Sequence, residues 1–107
     1  MNVFDVLWRK PENAKELVFV VEVDLGDANF WDTLVAWWSP SRRMFFWVSD
    51  RGCSCDSLGE NVRSIEQLEA GDRAALIAAI RSKYAEKVGR PEQQTDMLTD
   101  LAAVRTF

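Results

Sequence analysis

The chain has 107 residues, a formal net charge of −4 and 48% hydrophobic residues, and it contains five tryptophans. This length predicts a single domain, residues 1–107, with enough apolar side chains to bury a core. No run of eighteen apolar residues occurs, which argues against a membrane-spanning helix, and an acidic chain gains little from counterion release on a phosphate backbone. We therefore expect neither a membrane nor a nucleic acid as partner.

The acidity belongs to the first part of the chain. Residues 1–60 carry six basic and ten acidic groups, whereas residues 61–107 carry seven of each. The start, Met1-Asn2-Val3-Phe4-Asp5, lacks the basic residues of a secretory signal, so a cytoplasmic location is expected. Residues 1–10 hold an apolar cluster that predicts either an edge strand or a docked arm, and Pro11 ends it.

Residues 17–25 alternate in the manner of a β-strand. One predicted face carries Leu17, Phe19, Val21, Val23 and Leu25, and the other carries Val18, Val20, Glu22 and Asp24. A turn at residues 26–29 leads to a second predicted strand, residues 30–38, and residues 39–43 have the length of a hairpin loop. Residues 17–49 therefore predict a three-stranded antiparallel meander.

The third strand is the aromatic run Phe45-Phe46-Trp47-Val48-Ser49. It places large apolar groups on both faces, which is typical of a central strand. Trp37 and Trp38 also point to opposite faces, so both sides of the sheet need cover. The Asp50-Arg51-Gly52 step has turn chemistry and predicts the end of this strand.

The hydrophobic period changes to three or four after the cysteines. Ser64 and Gln67 fit a capping box that starts a short helix ending near Gly71. Asp72 predicts the cap of a second helix, stopped at Gly89, with Arg81, Lys83 and Lys87 suiting its C-terminal dipole. Its apolar side carries Leu76, Ile77, Ile80 and Tyr84.

A last helix starts near Pro91, with Met97, Leu98, Leu101 and Val104 in helical spacing. Strands come first and helices after, which favours the α+β class. We expect an antiparallel sheet of three to four strands, in the sheet half 1–60, followed by two or three C-terminal helices packed on one face, in the helical half 61–107.

Cys53 and Cys55 form the only suggestive reactive feature. A zinc site needs three or four good ligands, and this chain has two thiols and no histidine. Two chains pooling their thiols could complete such a site, so a metal- or redox-responsive protein is kept as the alternative function. The simpler interpretation is two reduced cysteines in a tight turn, because cytosolic thiols are normally kept reduced and redox motifs use a two-residue spacing.

The tryptophans are the second candidate feature. A domain of this size would struggle to bury Trp8, Trp31, Trp37, Trp38 and Trp47, so we expect Trp37 or Trp31 at a partly exposed or oligomeric surface. The candidate binding residues are Trp31, Trp37, Trp47, Asp50, Cys53 and Cys55. A third interpretation, stacking of single-stranded nucleic acid, depends on Arg42, Arg43 and Arg51 near the aromatic strand.

No reaction motif is found in the sequence. Glu22 and Asp24 share a strand face, but no histidine base, nucleophile elbow or glycine-rich phosphate loop accompanies them. Solvation of that face accounts for both carboxylates. We therefore expect no enzymatic activity, no catalytic residue, no cofactor and no bound metal.

Two segments carry a resemblance to a known family. They are Asp32-Thr33-Leu34-Val35-Ala36-Trp37-Trp38 and the run from Phe46 to Ser57, whose most specific part is Gly52-Cys53-Ser54-Cys55. Residues 30–70 thereby resemble a family of small uncharacterised proteins of actinobacteriophages, including mycobacteriophages. The family's turn tends to continue Cys-Pro-Ser-Pro, whereas this chain has Cys55-Asp56-Ser57-Leu58 and lacks both prolines.

The resemblance implies a phage accessory protein that acts in the host cytoplasm. By analogy with such proteins, we expect a non-enzymatic protein-interaction module. Its partner would be a host protein or a second copy of itself in a homodimer.

Overall fold

The computed structural model describes residues 17–26, 30–53, 65–86 and 91–107. These residues form a four-stranded antiparallel sheet followed by two helices packed against it. The strands stand in chain order, β1 (Val18–Asp24), β2 (Phe30–Ser39), β3 (Met44–Cys53) and β4 (Glu69–Gly71), and the helices are α1 (Arg73–Ala85) and α2 (Pro91–Thr106). The expected α+β class is confirmed, as is the meander of the first three strands.

The face assignment of β1 is partly wrong because the strand contains a bulge. Its register on β2 shifts between Phe19 and Val21, where Phe19 pairs with Trp37 but Val21 pairs with Ala36. A bulge residue turns the side chains that follow it to the other face. Phe19 therefore lies on the opposite face of the sheet from Val21 and Val23. The two valines are buried under the helices, whereas Phe19 is 53% exposed.

The end of β3 also differs from the prediction. Asp50, Arg51 and Gly52 continue the strand and pair with Thr33, Asp32 and Trp31 of β2, so they form no turn. All ten residues of β2 pair with residues of β3, and this continuous ladder of backbone pairs outweighs the local turn preference of Asp and Gly.

The short helix predicted to end near Gly71 is wrong, because this segment contains a strand that the sequence pattern did not predict. Ile65–Gln67 forms a single 3-10 turn, and Glu69–Gly71 then pairs with residues 45–47 of β3. An added Cβ on Gly71 would lie 2.8 Å from the Ala75 Cβ and 3.2 Å from Cη2 of the Trp47 ring, so glycine lets β4 approach both α1 and this indole. The predicted cap at Ser64, the helix stop at Gly89 and the arm at residues 1–10 lie outside the described residues.

Both helices begin as predicted. The Asp72 carboxylate accepts a hydrogen bond from Ala75 N at 2.8 Å, which caps α1. Leu76, Ile80 and Tyr84 are buried against the sheet. On α2, Leu101 and Val104 are buried and Met97 is partly buried, but Leu98 is 56% exposed.

The other face of the sheet, here called the outer face, has a second apolar cluster. Val35, Trp37 and Phe46 are buried there together with Ile65 and Leu68 from beyond β3. Trp38 lies on the helix side, edge-on to Phe45 at a ring distance of 4.8 Å. Both faces are therefore covered at their centres. Of the two tryptophans expected at a partly exposed surface, Trp31 is partly exposed, whereas Trp37 is only 5% exposed.

Candidate functional site

Three side chains of the outer face are accessible where β1 ends and β2 begins. Asp24 of β1 and Asp50 of β3 both pair with Thr33 of β2, so the two carboxylates flank one row of the sheet. Both are exposed, and Trp31, two residues before Thr33 on the same face, is partly exposed. We call Trp31, Asp24 and Asp50 the outer surface.

Local backbone geometry fixes this arrangement. Leu25 N donates to Asp32 O at 2.8 Å, and Gly26 N donates to the Asp24 carboxylate at 3.1 Å. A Cβ on Gly26 would come within 2.4 Å of Phe30 O, so the close approach of these two segments requires glycine. On β3, the residue that pairs with Trp31 is Gly52.

The remaining candidate binding residues do not join this surface. Trp37 lies in the outer-face cluster and Trp47 in the helix-side core, each 5% exposed. Cys53 is the last residue of β3, opposite Phe30, and Cys55 lies outside the described residues. Among the described members of the predicted set, the structure therefore brings Trp31 and Asp50 together at the outer surface.

The three arginines named for nucleic-acid stacking do not form one groove. Arg42 lies in the β2–β3 hairpin loop, pairs with Glu66 at 3.0 Å and stands over the Phe46 ring. Arg51 is near the opposite end of β3 and approaches Glu86 at 3.9 Å. Within the part of the chain that the structure describes, these charges lie apart along β3 and do not form one basic track beside the partly exposed Trp31 indole.

A buried polar cluster lies on the helix side, beneath the C-terminal end of α1. Lys83 Nζ is 2.6 Å from an Asp32 carboxylate oxygen and donates to Ser49 Oγ at 2.9 Å. The Lys83 and Asp32 side chains are only 6% and 5% exposed. The sequence predicts only that Lys83 complements the helix dipole, whereas in the structure its side chain spans the gap between α1 and the sheet.

This cluster superficially resembles a serine–lysine dyad. Lys83 Nζ lies 2.9 Å from Ser49 Oγ, but it also forms a 2.6 Å ion pair with the Asp32 carboxylate. The geometry supports a structural ion pair. The sequence analysis did not predict this ion pair. The signal for it was that Asp32 and Lys83 are single charges at otherwise apolar positions of β2 and α1.

A second polar contact joins the two helices. The Tyr84 hydroxyl donates to an Asp100 carboxylate oxygen at 2.5 Å. Burial, the hydrogen bond to Asp100 and the negative charges of Asp100 and Asp96 raise the pKa of Tyr84. Burial also raises the pKa of Asp100, although the Tyr84 hydroxyl opposes that shift.

This contact predicts alkaline instability. Tyr84 is the sole tyrosine, so tyrosinate absorbance reports on it alone. The folded chain keeps the phenol proton above pH 10, where the unfolded chain releases it, so the free energy of unfolding should fall as pH rises beyond about 10. Tyrosinate absorbance should then appear only together with unfolding, as followed by tryptophan fluorescence.

The control is Asp100→Asn, which keeps an acceptor but removes the nearest negative charge. Its Tyr84 should ionise at lower pH than in the original chain. A phenol that titrates near pH 10 while tryptophan fluorescence remains native would contradict the assignment.

The described residues contain no group of three or more His, Cys, Asp or Glu side chains arranged to hold a metal ion. No helix among them is long and apolar enough to cross a membrane. Residues 6–106 match the sequence profile of a family described as "Domain of unknown function (DUF7574)". No curated protein and no solved structure shows significant similarity to the chain.

Proposed function

The chain belongs to the DUF7574 family, and we propose that it acts as a non-enzymatic protein-interaction module. The observation that carries this proposal is the outer surface, where a partly exposed indole stands beside two exposed carboxylates. Tryptophan is among the residues that most often dominate binding energy at protein interfaces. Asp24 and Asp50 would orient a partner around that anchor.

The chemistry of the outer surface defines the partner it fits. An indole offers apolar contact and attraction for a guanidinium or ammonium group, and the neighbouring carboxylates repel acidic surfaces. We therefore propose a partner segment that carries both apolar and basic side chains. Its association should slow as salt is added, because exposed charges are screened within about 8 Å at physiological ionic strength.

The buried ion pair supports the non-enzymatic part of the proposal. Lys83 contacts both Ser49 Oγ and the Asp32 carboxylate, which fits a role in joining α1 to the sheet. From the resemblance of Gly52-Cys53-Ser54-Cys55 and the adjoining strands to the actinobacteriophage family, we further propose a phage accessory protein. It would bind a host protein in the host cytoplasm.

The test compares capture of host proteins by the immobilised full chain and its variants. Proteins that depend on the outer surface should be retained by the original chain and lost by Trp31→Ala and by Asp50→Lys. Once a captured protein has been purified, its Kd for Trp31→Ala should be at least tenfold higher, as expected for loss of an interfacial tryptophan.

The matched control is Glu69→Lys, which makes the same charge change at an exposed position on β4. It should retain the captured proteins. Identical capture by all of these variants would show that the outer surface is not the binding surface.

A further inference from the structure

A second accessible apolar region lies at the hairpin end of the sheet, on the helix side. Val18 pairs with Trp38 across β1 and β2, and the Phe107 ring is 6.5 Å from that of Trp38. Val18 and Phe107 are 44% and 43% exposed, and Trp38 is partly exposed. We call Val18, Trp38 and Phe107 the aromatic patch.

Two arginines flank the aromatic patch. Arg73 donates from Nε to Val104 O and stands over the Phe45 ring, whose centroid is 6.2 Å from that of Phe107. Arg105 is exposed in the last turn of α2, two residues before Phe107. The patch therefore combines apolar surface with positive charge, which is the chemistry proposed above for the partner of the outer surface.

We propose that copies of this chain associate head to tail, with the outer surface of one copy on the aromatic patch of the next. The acidic and indole groups of the outer surface complement the basic and apolar groups of the patch. This inference rests on the proposed function and names the partner as a second copy. Binding of an unrelated protein at the patch is the competing outcome.

One chain cannot make this contact with itself. Trp31 and Trp38 stand seven residues apart on β2, a separation of about 23 Å in a strand, and they point to opposite faces. Two different surfaces that meet between copies give a heterologous contact, so association continues beyond a dimer unless a ring closes. If one copy is blocked at the outer surface and the other at the aromatic patch, association should therefore stop at two copies.

Sedimentation velocity on the full chain tests the proposal. The original chain should show an average mass that rises with concentration past that of a dimer. Trp31→Ala removes the indole of the outer surface and Arg105→Glu reverses a charge at the patch, and each should weaken self-association at least tenfold. An equimolar mixture should form dimers only, because one intact surface of each kind remains.

Arg81→Glu serves as the matched control, since it makes the same charge change at an exposed position of α1 and should assemble normally. Circular dichroism would establish that every variant folds. A monomeric original chain at all concentrations, or a mixture that stays monomeric, would overturn the proposal. Unchanged assembly in both variants would overturn it too.

The two proposals fail separately. If the original chain is monomeric but still captures a host protein through Trp31, the interaction module stands and head-to-tail association falls. If the chain assembles through both surfaces and captures no other protein, the second copy is its partner. If Trp31 and Asp50 affect neither readout, both proposals are wrong.

Discussion

Replacement of Lys83 by methionine is expected to lower the free energy of unfolding by about 3–5 kcal/mol, the cost of removing one member of a buried ion pair. Methionine fills much the same volume but leaves the Asp32 carboxylate, 5% exposed, without its cation at 2.6 Å. It also removes the donor to Ser49. Urea unfolding followed by tryptophan fluorescence measures the change directly.

The double variant Lys83→Met/Asp32→Leu separates the cost of an unpaired charge from the value of the pair. Removing both charges also removes both desolvation costs, so its stability should recover most of the loss and approach the original value. Arg51→Met is the control, since it breaks an exposed pair with Glu86 at 3.9 Å and should change stability by less than about 1 kcal/mol. A double variant less stable than Lys83→Met would contradict this account.

The second large effect is expected at Trp37. Trp37→Ala should cost about 3–5 kcal/mol, because it opens a cavity among Val35, Phe46 and Ile65 on the outer face. Trp31→Ala, at a partly exposed position six residues earlier on the same strand and face, should cost about 1 kcal/mol or less. The same urea titration compares the two variants.

Binding should show the reverse order of effects. Trp31→Ala should abolish contacts of the outer surface in a chain that remains folded, whereas Trp37→Ala should affect them only through loss of folded protein. Trp37→Phe is the control for packing and should recover most of the stability. Equal destabilisation by Trp31→Ala and Trp37→Ala would mean that Trp31 belongs to the core.

Much of the candidate site could be anticipated because strand alternation is a local property. The sequence placed Glu22 and Asp24 together on one face of β1, and the register agrees, since they pair with Val35 and Thr33 of β2. It also proposed Asp50 as a binding residue, although as part of a turn. The two carboxylates and the indole come together only because β1 and β3 both pair with β2.

Accessibility could not be predicted in the same way. Trp31 and Trp37 have the same parity along β2, so the pattern assigns them to the same face and cannot distinguish them. Trp37 is buried because Ile65 and Leu68, from a segment distant in sequence, pack against its end of the outer face. Phe19 became exposed through a bulge that β-strand alternation does not reveal.

The α+β class, the meander, the Asp72 cap and the start of α2 at Pro91 follow from the amino-acid pattern, since each depends on residues close along the chain. Only the tertiary structure decided the continuation of β3, the pairing of β4, the burial of Trp37 and the Lys83–Asp32 contact. These features depend on which distant segments meet. The hydrophobic period of a strand or helix predicts which face a side chain lies on. Its burial and its contacts depend on which other segments pack against that face.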